Sequence, residues 1–447
     1  MSVLAAFAGA YAGGASVSDV LTRAIEGRND ADPVWIACVP PSDVLARAAA
    51  LDACTPEQRA TLPLFGIPFA VKDNIDVAGL PTTAACPEFS YVPDRSATVV
   101  ERLEAAGAVL IGKTNLDQFA TGLVGTRSPY GIPRNPFDAR YIPGGSSSGS
   151  AVAVARGLVV FALGTDTAGS GRVPAGFTAT IGLKPTYGII STAGVVPACR
   201  SIDCVSIFAR SVDDAQAVLD IAAAPDSRDA FSRPRAAAPE PLGSTFAFAV
   251  PSAAGRVFCG DAEAQASFEQ TIAKIEAYGG TAIDADLAPC FAAADLLYNG
   301  AYVAERTAAV GDFADAHPDA LLEVTRTIIA GGRRYTAVDA FRAQYRIREL
   351  RRDAMAIFAE APVLIVPTAP TIYTLDQIAA EPYALNATLG TYTNFVNFFD
   401  WCAIAIPSGY YRNGLPIGIT LIAPAFADAM LAGLARRLLE AALPSEA

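Results

Sequence analysis

Short β-branched runs alternate with glycine-rich turns and helix-like segments between residues 64 and about 204, and this alternation restricts the possible folds more than any other feature. Strands that alternate with helices predict an α/β sheet with helices on its faces. The predicted strands are residues 65–71, 109–112 and 159–163, and the predicted helices are residues 97–107 and 150–157.

The rest of the chain continues without an evident linker. Residues 1–60 are alanine-rich and predict helices, and the proline-rich residues 234–241 predict a loop. Further strands are predicted at residues 246–251, 362–367 and 415–423, and further helices at residues 261–278, 295–310 and 431–442. We therefore expect one domain over residues 1–447, made of a helical N-terminal segment (1–60), a core (64–204) and a remainder (205–447).

Composition limits the partners and the compartment. Of the 447 residues 52% are apolar and 17% are charged, which is typical of a globular protein with a large core. The net charge of −12 argues against nucleic acid and anionic membrane surfaces as partners. Eight dispersed cysteines without a Cys-x-x-Cys pair indicate reduced thiols and a cytoplasmic protein. These cysteines and the one histidine do not form a typical zinc-binding pattern, and the sequence indicates no cofactor.

Two serine- and glycine-rich segments, residues 144–150 and 164–172, are the candidates for chemistry. A serine nucleophile needs a base, which is usually histidine. The one histidine of the chain, His317, lies in a polar stretch typical of an exposed helix end. Lys72, in the segment Gly-Ile-Pro-Phe-Ala-Val-Lys-Asp-Asn, is the better candidate. This combination predicts a serine–lysine hydrolase.

Two other motifs compete with this interpretation. Residues 107–114 match the nucleotide-binding pattern Gly-x4-Gly-Lys-Ser/Thr, but the four intervening residues are apolar and predict a strand that ends at Lys113. Residues 145–149 match the Gly-x-Ser-x-Gly turn of α/β-hydrolases, but a Pro-Gly loop precedes them and only His317 is available as the base. We regard both matches as secondary.

The chain resembles the amidase signature family in several segments that follow in order: residues 71–74, 112–117, 143–149 and 182–186. This resemblance implies the amidase-signature α/β fold, a large mixed β-sheet sandwiched between layers of helices. It also implies a Ser-cisSer-Lys triad, with Ser170 as the nucleophile, Ser146 as the bridging serine after a cis peptide, and Lys72 as the base. The resemblance places the oxyanion hole at the backbone amides of Thr167, Ala168, Gly169 and Ser170.

The lysine can act as a base only if its environment changes its pKa. A free lysine, with a pKa of about 10.4, is almost fully protonated at neutral pH. Burial lowers the pKa because it destabilises the charged form. A serine between the lysine and the nucleophile then lets the lysine accept the proton without contacting the nucleophile.

Residues 119–122, 165–174, 196–204, 367–374 and 389–397 are similar to the allophanate hydrolases, which release ammonia from allophanate. This resemblance implies that Gly122, Tyr298 and Arg306 bind the substrate. A guanidinium binds a carboxylate in two places, which suits allophanate. Because Tyr298 and Arg306 are eight residues apart, we expect one helix to direct both inward. Without the resemblance, Arg306 is better interpreted as part of a solvated helix face.

The resemblance links the chain to urea carboxylase or to cyanuric acid breakdown, and we expect a homodimer. Alternatives are an amidase for biuret, malonamate or carboxybiuret, and an amidotransferase-type subunit that needs a partner. Allophanate hydrolases usually carry a second, C-terminal domain thought to handle decarboxylation. Because this chain stops at Ala447, we expect deamination to be retained and the second step to be in doubt.

Overall fold

The computed structural model describes residues 2–442, and in these residues eleven strands form one mixed sheet in the order β1-β3-β2-β4-β6-β5-β10-β11-β9-β7-β8. Strand β2 pairs in parallel with β3 and β4, and β7 pairs in parallel with β8 and β9, while the other pairs are antiparallel. The strands are β1 (Trp35–Cys38), β2 (Pro68–Lys72), β3 (Val109–Thr114), β4 (Phe161–Asp166), β5 (Ile181–Lys184), β6 (Cys204–Ala209), β7 (Phe246–Pro251), β8 (Gly280–Ala285), β9 (Leu364–Pro367), β10 (Trp401–Tyr410) and β11 (Pro416–Pro424).

Helices cover both faces of this sheet. None of the helices within residues 2–442 is both long enough and apolar enough to cross a bilayer. The helices are α1 (Val3–Ala12), α2 (Val17–Glu26), α3 (Pro41–Asp52), α4 (Pro56–Ala60), α5 (Thr98–Ala105), α6 (Ser148–Ala155), α7 (Arg172–Phe177), α8 (Val212–Ala222), α9 (Ala262–Ala277), α10 (Ala288–Asp295), α11 (Val303–Ala316), α12 (Glu323–Gly331), α13 (Ala337–Ala354), α14 (Ile357–Glu360), α15 (Leu375–Ala380), α16 (Ala384–Leu389), α17 (Asn394–Phe398) and α18 (Asp428–Ala442).

The two layers follow from the alternation of side chains along the strands. Phe69 and Val71 of β2 point to the face covered by α5, α8 and α18, whereas Ala70 points to the face covered by α2, α3 and α6. Successive side chains of a strand point to opposite faces, so a strand buried on both faces is apolar throughout. This explains why the central strands are almost continuous apolar runs.

Most predicted elements are present with shifted ends. The predicted strand at residues 246–251 coincides with β7, and the predicted loop at residues 234–241 contains no helix or strand. Two expectations are wrong. Residues 1–60 contain an edge strand, β1, as well as helices, and residues 295–310 are not one helix, because turns over residues 296–302 separate α10 from α11. Asn299 and Gly300, which have low helix propensity, lie in this interruption.

The C-terminal ends of β2 and β4 meet at one edge of the sheet, since these strands are parallel neighbours. Lys72 is the last residue of β2 and Asp166 is the last residue of β4. The loop before α6 and the loop between β4 and α7 therefore lie side by side, and they contain the two serine segments. The ends of the predicted domain, residue 1 and residues 443–447, lie outside the described residues.

Candidate active site

Lys72 reaches from the end of β2 to the serine-rich loop that precedes α6. Its Nζ donates hydrogen bonds to the hydroxyl of Ser146 at 2.7 Å and to the hydroxyl of Thr165 at 2.8 Å. The lysine side chain is fully buried. Its hydrogen-bond acceptors are therefore neutral hydroxyls rather than carboxylates.

This environment changes the protonation of the lysine. Burial lowers the pKa of Lys72 to about 7, although the carboxylates of Asp117, Asp166 and Asp203 act in the opposite direction. Desolvation disfavours the charged ammonium more than these more distant carboxylates stabilise it. At neutral pH a large fraction of Lys72 is thus unprotonated and can accept a proton, as the sequence-based argument required.

Asp117 organises the loop that carries Ser146. The Gly145–Ser146 peptide bond is cis, and the carbonyl oxygen of Ser146 accepts a hydrogen bond from the amide of Asp117 at 3.0 Å. The carboxylate of Asp117 accepts from the amide of Arg127 at 2.9 Å, and a Cβ at Gly145 would overlap this carboxylate. Asp117 thereby joins the serine loop to the segment that carries Gly122.

Ser170 lies in the turn between β4 and α7, and only 3% of the residue is exposed. Its hydroxyl donates to the carbonyl oxygen of Gly122 at 3.5 Å. The structure therefore brings Lys72 and Ser146 into direct contact, while within residues 2–442 the hydrogen bond of Ser170 is to Gly122 rather than to Ser146. Catalytic hydrogen bonds are often long or absent before a substrate binds.

A buried ion pair shapes the turn around Ser170. Asp166 accepts from Nε and Nη2 of Arg172, both at 2.9 Å, and both side chains are fully buried. The same carboxylate also accepts from the amides of Gly169 at 2.8 Å and Gly171 at 3.0 Å. Four hydrogen bonds to one carboxylate fix the backbone on both sides of the candidate nucleophile.

The backbone amides that are predicted to form the oxyanion hole differ in their hydrogen bonding. The amides of Thr167 and Ala168 donate to no protein acceptor within residues 2–442, so they are available to a ligand. The amide of Gly169 differs from the prediction, because it donates to Asp166. Gly169 is required for another reason: its φ is +121°, and a Cβ there would overlap the hydroxyl of Thr393.

Residues from the C-terminal part of the chain hold this loop from outside. The hydroxyl of Thr393 donates to the carbonyl of Ala168 at 2.7 Å, and Nδ2 of Asn397 donates to the carbonyl of Asp166, also at 2.7 Å. Sequence reasoning assigned no role to Thr393, Asn397, Asp117 or Thr165. The signal for Thr393 and Asn397 is segment 389–397, on which the resemblance to allophanate hydrolases partly rests.

Arg306 is a buried cation that contacts Thr121, the residue before Gly122. Only 2% of the residue is exposed, and its Nη1 donates to the hydroxyl of Thr121 at 3.0 Å. Its Nη2 donates to the hydroxyl of Tyr298 at 3.2 Å, and its guanidinium carbon lies 5.2 Å from the centre of that ring. Its Nε has no partner within residues 2–442, and Arg306 joins none of the ion pairs formed there. This guanidinium can therefore accept an anionic ligand.

The contact between Tyr298 and Arg306 does not arise as expected. Tyr298 lies in the turns before α11, and Arg306 lies in the first turns of α11, so the two residues do not share a helix. The turn at residues 296–302 folds back and places the tyrosine hydroxyl against the guanidinium. The alternative of a solvated Arg306 is wrong, since the residue is buried.

The competing motifs have other environments. Lys113 is buried at the end of β3, where Nζ lies 3.1 Å from a carboxylate oxygen of Asp73 and donates to the carbonyl of Pro81 at 2.9 Å. The hydroxyl of Ser147 donates to the carbonyl of Thr165 at 3.1 Å. His317 is exposed at the C-terminal end of α11. Within residues 2–442 no cluster of histidine, cysteine and acidic side chains could hold a metal ion.

The comparison with known families decides the classification. The family model described as Amidase matches residues 19–432, which is most of the chain. The chain belongs to the amidase family. This membership confirms the resemblance on which the sequence-based interpretation rested, and the mixed sheet between helical layers confirms the predicted fold class.

Individual relatives give finer similarities to this amidase. It is 45% identical over 418 residues to urea amidolyase of Saccharomyces cerevisiae, a match that covers 93% of this chain and 23% of the relative. The structure of allophanate hydrolase from Kluyveromyces lactis superposes with a TM-score of 0.92 at 42% identity, covering 98% of this chain and 72% of that chain. A glutamyl-tRNA(Gln) amidotransferase subunit of Symbiobacterium thermophilum is 37% identical over 423 residues, which cover 87% of this chain and 85% of the relative. The chain thus spans less than a quarter of the urea amidolyase that it matches.

Proposed function

We propose that this amidase hydrolyses allophanate and releases ammonia through an acyl-enzyme on Ser170. The observation that carries the proposal is Arg306, a buried guanidinium that joins no ion pair within residues 2–442. It donates a hydrogen bond to Thr121, and the next residue, Gly122, accepts a hydrogen bond from Ser170. A substrate carboxylate would compensate this buried charge. The similarity to allophanate hydrolase of Kluyveromyces lactis supports the same substrate.

The proposed reaction begins with proton transfer through Ser146. Neutral Lys72 accepts a proton from Ser146, which accepts one from Ser170, and the Oγ of Ser170 forms a bond to the terminal amide carbon. The negative charge on the amide oxygen is stabilised by the amides of Thr167 and Ala168. The proton then returns to the nitrogen, and the carbon–nitrogen bond breaks to release ammonia.

Water completes the cycle. The acyl-enzyme is an ester of Ser170 with the remaining carboxylated carbamoyl group. Water attacks this ester while Lys72, acting through Ser146, accepts its proton, and the proton is then transferred to the leaving Oγ of Ser170. The product is N-carboxycarbamate, in which one nitrogen carries two carboxylate groups. Gly122, Tyr298 and Arg306 are proposed to hold the substrate throughout.

A second candidate is the function of an amidotransferase-type subunit that works only with a partner. The similarity to the glutamyl-tRNA(Gln) amidotransferase subunit, over 85% of that protein, favours this alternative. Turnover by the isolated chain distinguishes the two functions. Another small amide, such as biuret, malonamate or carboxybiuret, is the alternative substrate.

The remaining features of the proposal concern the whole protein. The similarity to urea amidolyase supports a link to urea carboxylation, since that relative is named for urea. The free cysteines within the described residues support a cytoplasmic location. We also propose that residues 1–447 form one domain and that the protein is a homodimer.

The test is ammonia release from allophanate by the purified chain, with biuret as the comparison substrate and Ser170→Ala as the control. We expect rapid release from allophanate, slower release from biuret, and loss of both in the variant. Release that persists in Ser170→Ala would exclude this nucleophile. A folded wild-type chain that releases ammonia from biuret but not from allophanate would exclude the proposed substrate, and release from neither would favour the subunit that needs a partner.

A further inference from the structure

A surface cavity of about 350 Å³ lies between residues 192–197 and helix α11. Its lining includes Asp76, Tyr91, Arg200, Asp203 and Ala309. Arg200 and Tyr91 are exposed to solvent at the surface, whereas Asp203 is buried. The cavity thus extends from the surface toward buried residues.

The candidate site needs a passage to solvent. Lys72 and Ser146 are fully buried, and Ser170 and Arg306 are 3% and 2% exposed. A substrate with the size of a small amide cannot reach Ser170 without an opening. A cavity that shares walls with the site is the natural route.

Two hydrogen bonds and one shared helix relate this cavity to the site. The carboxylate of Asp203, in the cavity wall, accepts a hydrogen bond from the hydroxyl of Thr167 at 2.5 Å. The carbonyl of Val196, also in the wall, accepts from the side chain of Asn74 at 3.3 Å. Ala309 lies three residues after Arg306 on α11, so both side chains point to neighbouring positions on one helix face.

A second groove on α11 does not have this relation. It has a volume of about 240 Å³ and is lined by Ala304, Glu305 and Ala308 of α11 together with residues of α13. At about 100° per residue, Ala304 and Ala308 lie about 160° from Arg306 around α11, whereas Ala309 lies about 60° from it. Of the two, the cavity on the Ala309 side is therefore the one that lies nearer to Arg306 around this helix.

The charges in the cavity differ in their partners. Asp203 accepts from the hydroxyl of Thr167 and from the amide of Ala198, and Asp76 accepts from the hydroxyls of Thr82 and Tyr91. The guanidinium of Arg200 joins none of the ion pairs formed within residues 2–442, and it lies 5.9 Å from the ring centre of Phe231. Without Arg200 the charged groups of the lining would all be negative.

We propose that this cavity is the passage by which an anionic amide reaches Ser170, and that Arg200 is a specificity-determining residue at its entrance. The inference about the anion rests on the proposed function, and the inference about the passage rests only on the part of it that makes Ser170 the nucleophile. A cation at the mouth raises the local concentration of an anion and offsets the repulsion by Asp76 and Asp203.

The first test concerns the charge. In Arg200→Gln we expect kcat/KM for allophanate to fall by about 3- to 10-fold at low ionic strength, with kcat unchanged and biuret turnover unaffected. The difference should vanish at about 0.5 M NaCl, where screening is strong. Arg412→Gln, an equal charge change at an exposed arginine outside the cavity lining, is the matched control and should behave as wild type. An equal loss for both substrates, or none, would overturn the role of Arg200.

The second test concerns the passage and needs no substrate. Ala309→Phe and Ala193→Phe narrow the cavity from opposite walls, and the rate at which methanesulfonyl fluoride sulfonylates Ser170 reports access. We expect labelling at least about 10-fold slower in each folded variant. Wild-type labelling rates in both would exclude the passage. If the wild type is labelled but does not hydrolyse allophanate, the substrate proposal fails while the passage is still tested.

Discussion

Lys72 combines complete burial with two neutral hydrogen-bond acceptors, Ser146 and Thr165. A carboxylate in direct contact would keep the ammonium charged, whereas hydroxyls accept from the ammonium and can also donate to a neutral amine. The lysine can therefore change its protonation state during a cycle without breaking an ion pair.

The pH dependence of activity should follow this lysine. Because burial lowers the pKa of Lys72 to about 7 and the base must be unprotonated, kcat/KM should rise with pH through about 7 and then level. Steady-state ammonia release measured across this range checks the expectation. A profile without an inflection near pH 7, in a substrate that does not itself titrate there, would contradict Lys72 as the base.

Thr165 should tune this inflection. Replacement by valine removes an acceptor of the protonated lysine, so the neutral amine is favoured and the inflection should move to lower pH by about one unit. The control is Thr420→Val, which changes a buried threonine in β11 in the same way and should leave the pH profile unchanged. A shift to higher pH would show that Thr165 stabilises the neutral amine instead.

Sequence analysis predicted Lys72, Ser146 and Ser170 as the triad from short motifs shared with the amidase signature family, and this assignment stays a prediction. It missed Thr165 and Asp117, although both lie in segments that it used. Their importance comes from contacts across the fold. Thr165 accepts a hydrogen bond from Lys72 of a neighbouring strand, and the carboxylate of Asp117 accepts hydrogen bonds from the backbone amides of Gly125 and Arg127. A motif records residue types, whereas such contacts depend on how strands pair.

At the scale of elements, the turn between β4 and α7 depends on helix α17 for its shape. The ion pair of Asp166 and Arg172 fixes the turn from inside. From outside, the side chains of Thr393 and Asn397 donate hydrogen bonds to backbone carbonyls of the turn, and both residues accept hydrogen bonds from Arg172. The turn thus has little freedom to relax if one partner is removed. This rigidity suits a site in which amide donors must keep a fixed geometry.

Asp166→Asn should therefore be costly. The substitution leaves Arg172 buried without its counterion, and we expect the free energy of unfolding to fall by about 3–5 kcal/mol. Glu349→Gln breaks the half-exposed pair with Arg346 on α13, and it should cost about 1 kcal/mol or less. Urea denaturation of both variants and wild type measures the difference. Equal effects would contradict the structural role assigned to the buried pair.

The elements themselves were only partly predictable. Apolar runs bounded by glycine or proline identified β3, β7 and β9, because such runs form buried strands. Strands β1, β5, β6, β8 and β10 were not predicted, and the break at residues 296–302 was missed. Pairing with β3 stabilises β1, and contact with Arg306 holds Tyr298 in the break, so tertiary contacts decide both.

At the scale of the whole molecule, the sheet joins the predicted core and the predicted remainder. Strand β5 from the core pairs with β10 from the remainder, with Leu183 opposite Ile404. The site likewise contains residues from both parts, since Asn397 of the remainder donates a hydrogen bond to the carbonyl of Asp166 of the core. Neither part buries its sheet edge without the other, which supports the proposal of one domain.

A single domain predicts one unfolding transition, and the two tryptophans allow a direct test. Trp35 lies in β1 near the first edge of the sheet, while Trp401 lies in β10, in a different core cluster. The indole nitrogens of both are buried without a partner within residues 2–442, so phenylalanine at either position breaks no hydrogen bond formed there and lowers stability through the lost ring volume alone. Fluorescence of Trp35→Phe and Trp401→Phe during urea denaturation then reports one region each.

The fluorescence midpoint of each variant is compared with the circular dichroism midpoint of the same variant, so that a change in stability does not affect the comparison. We expect the two midpoints to coincide in both variants. A fluorescence midpoint that departs from circular dichroism in either variant would divide the chain into separately unfolding units.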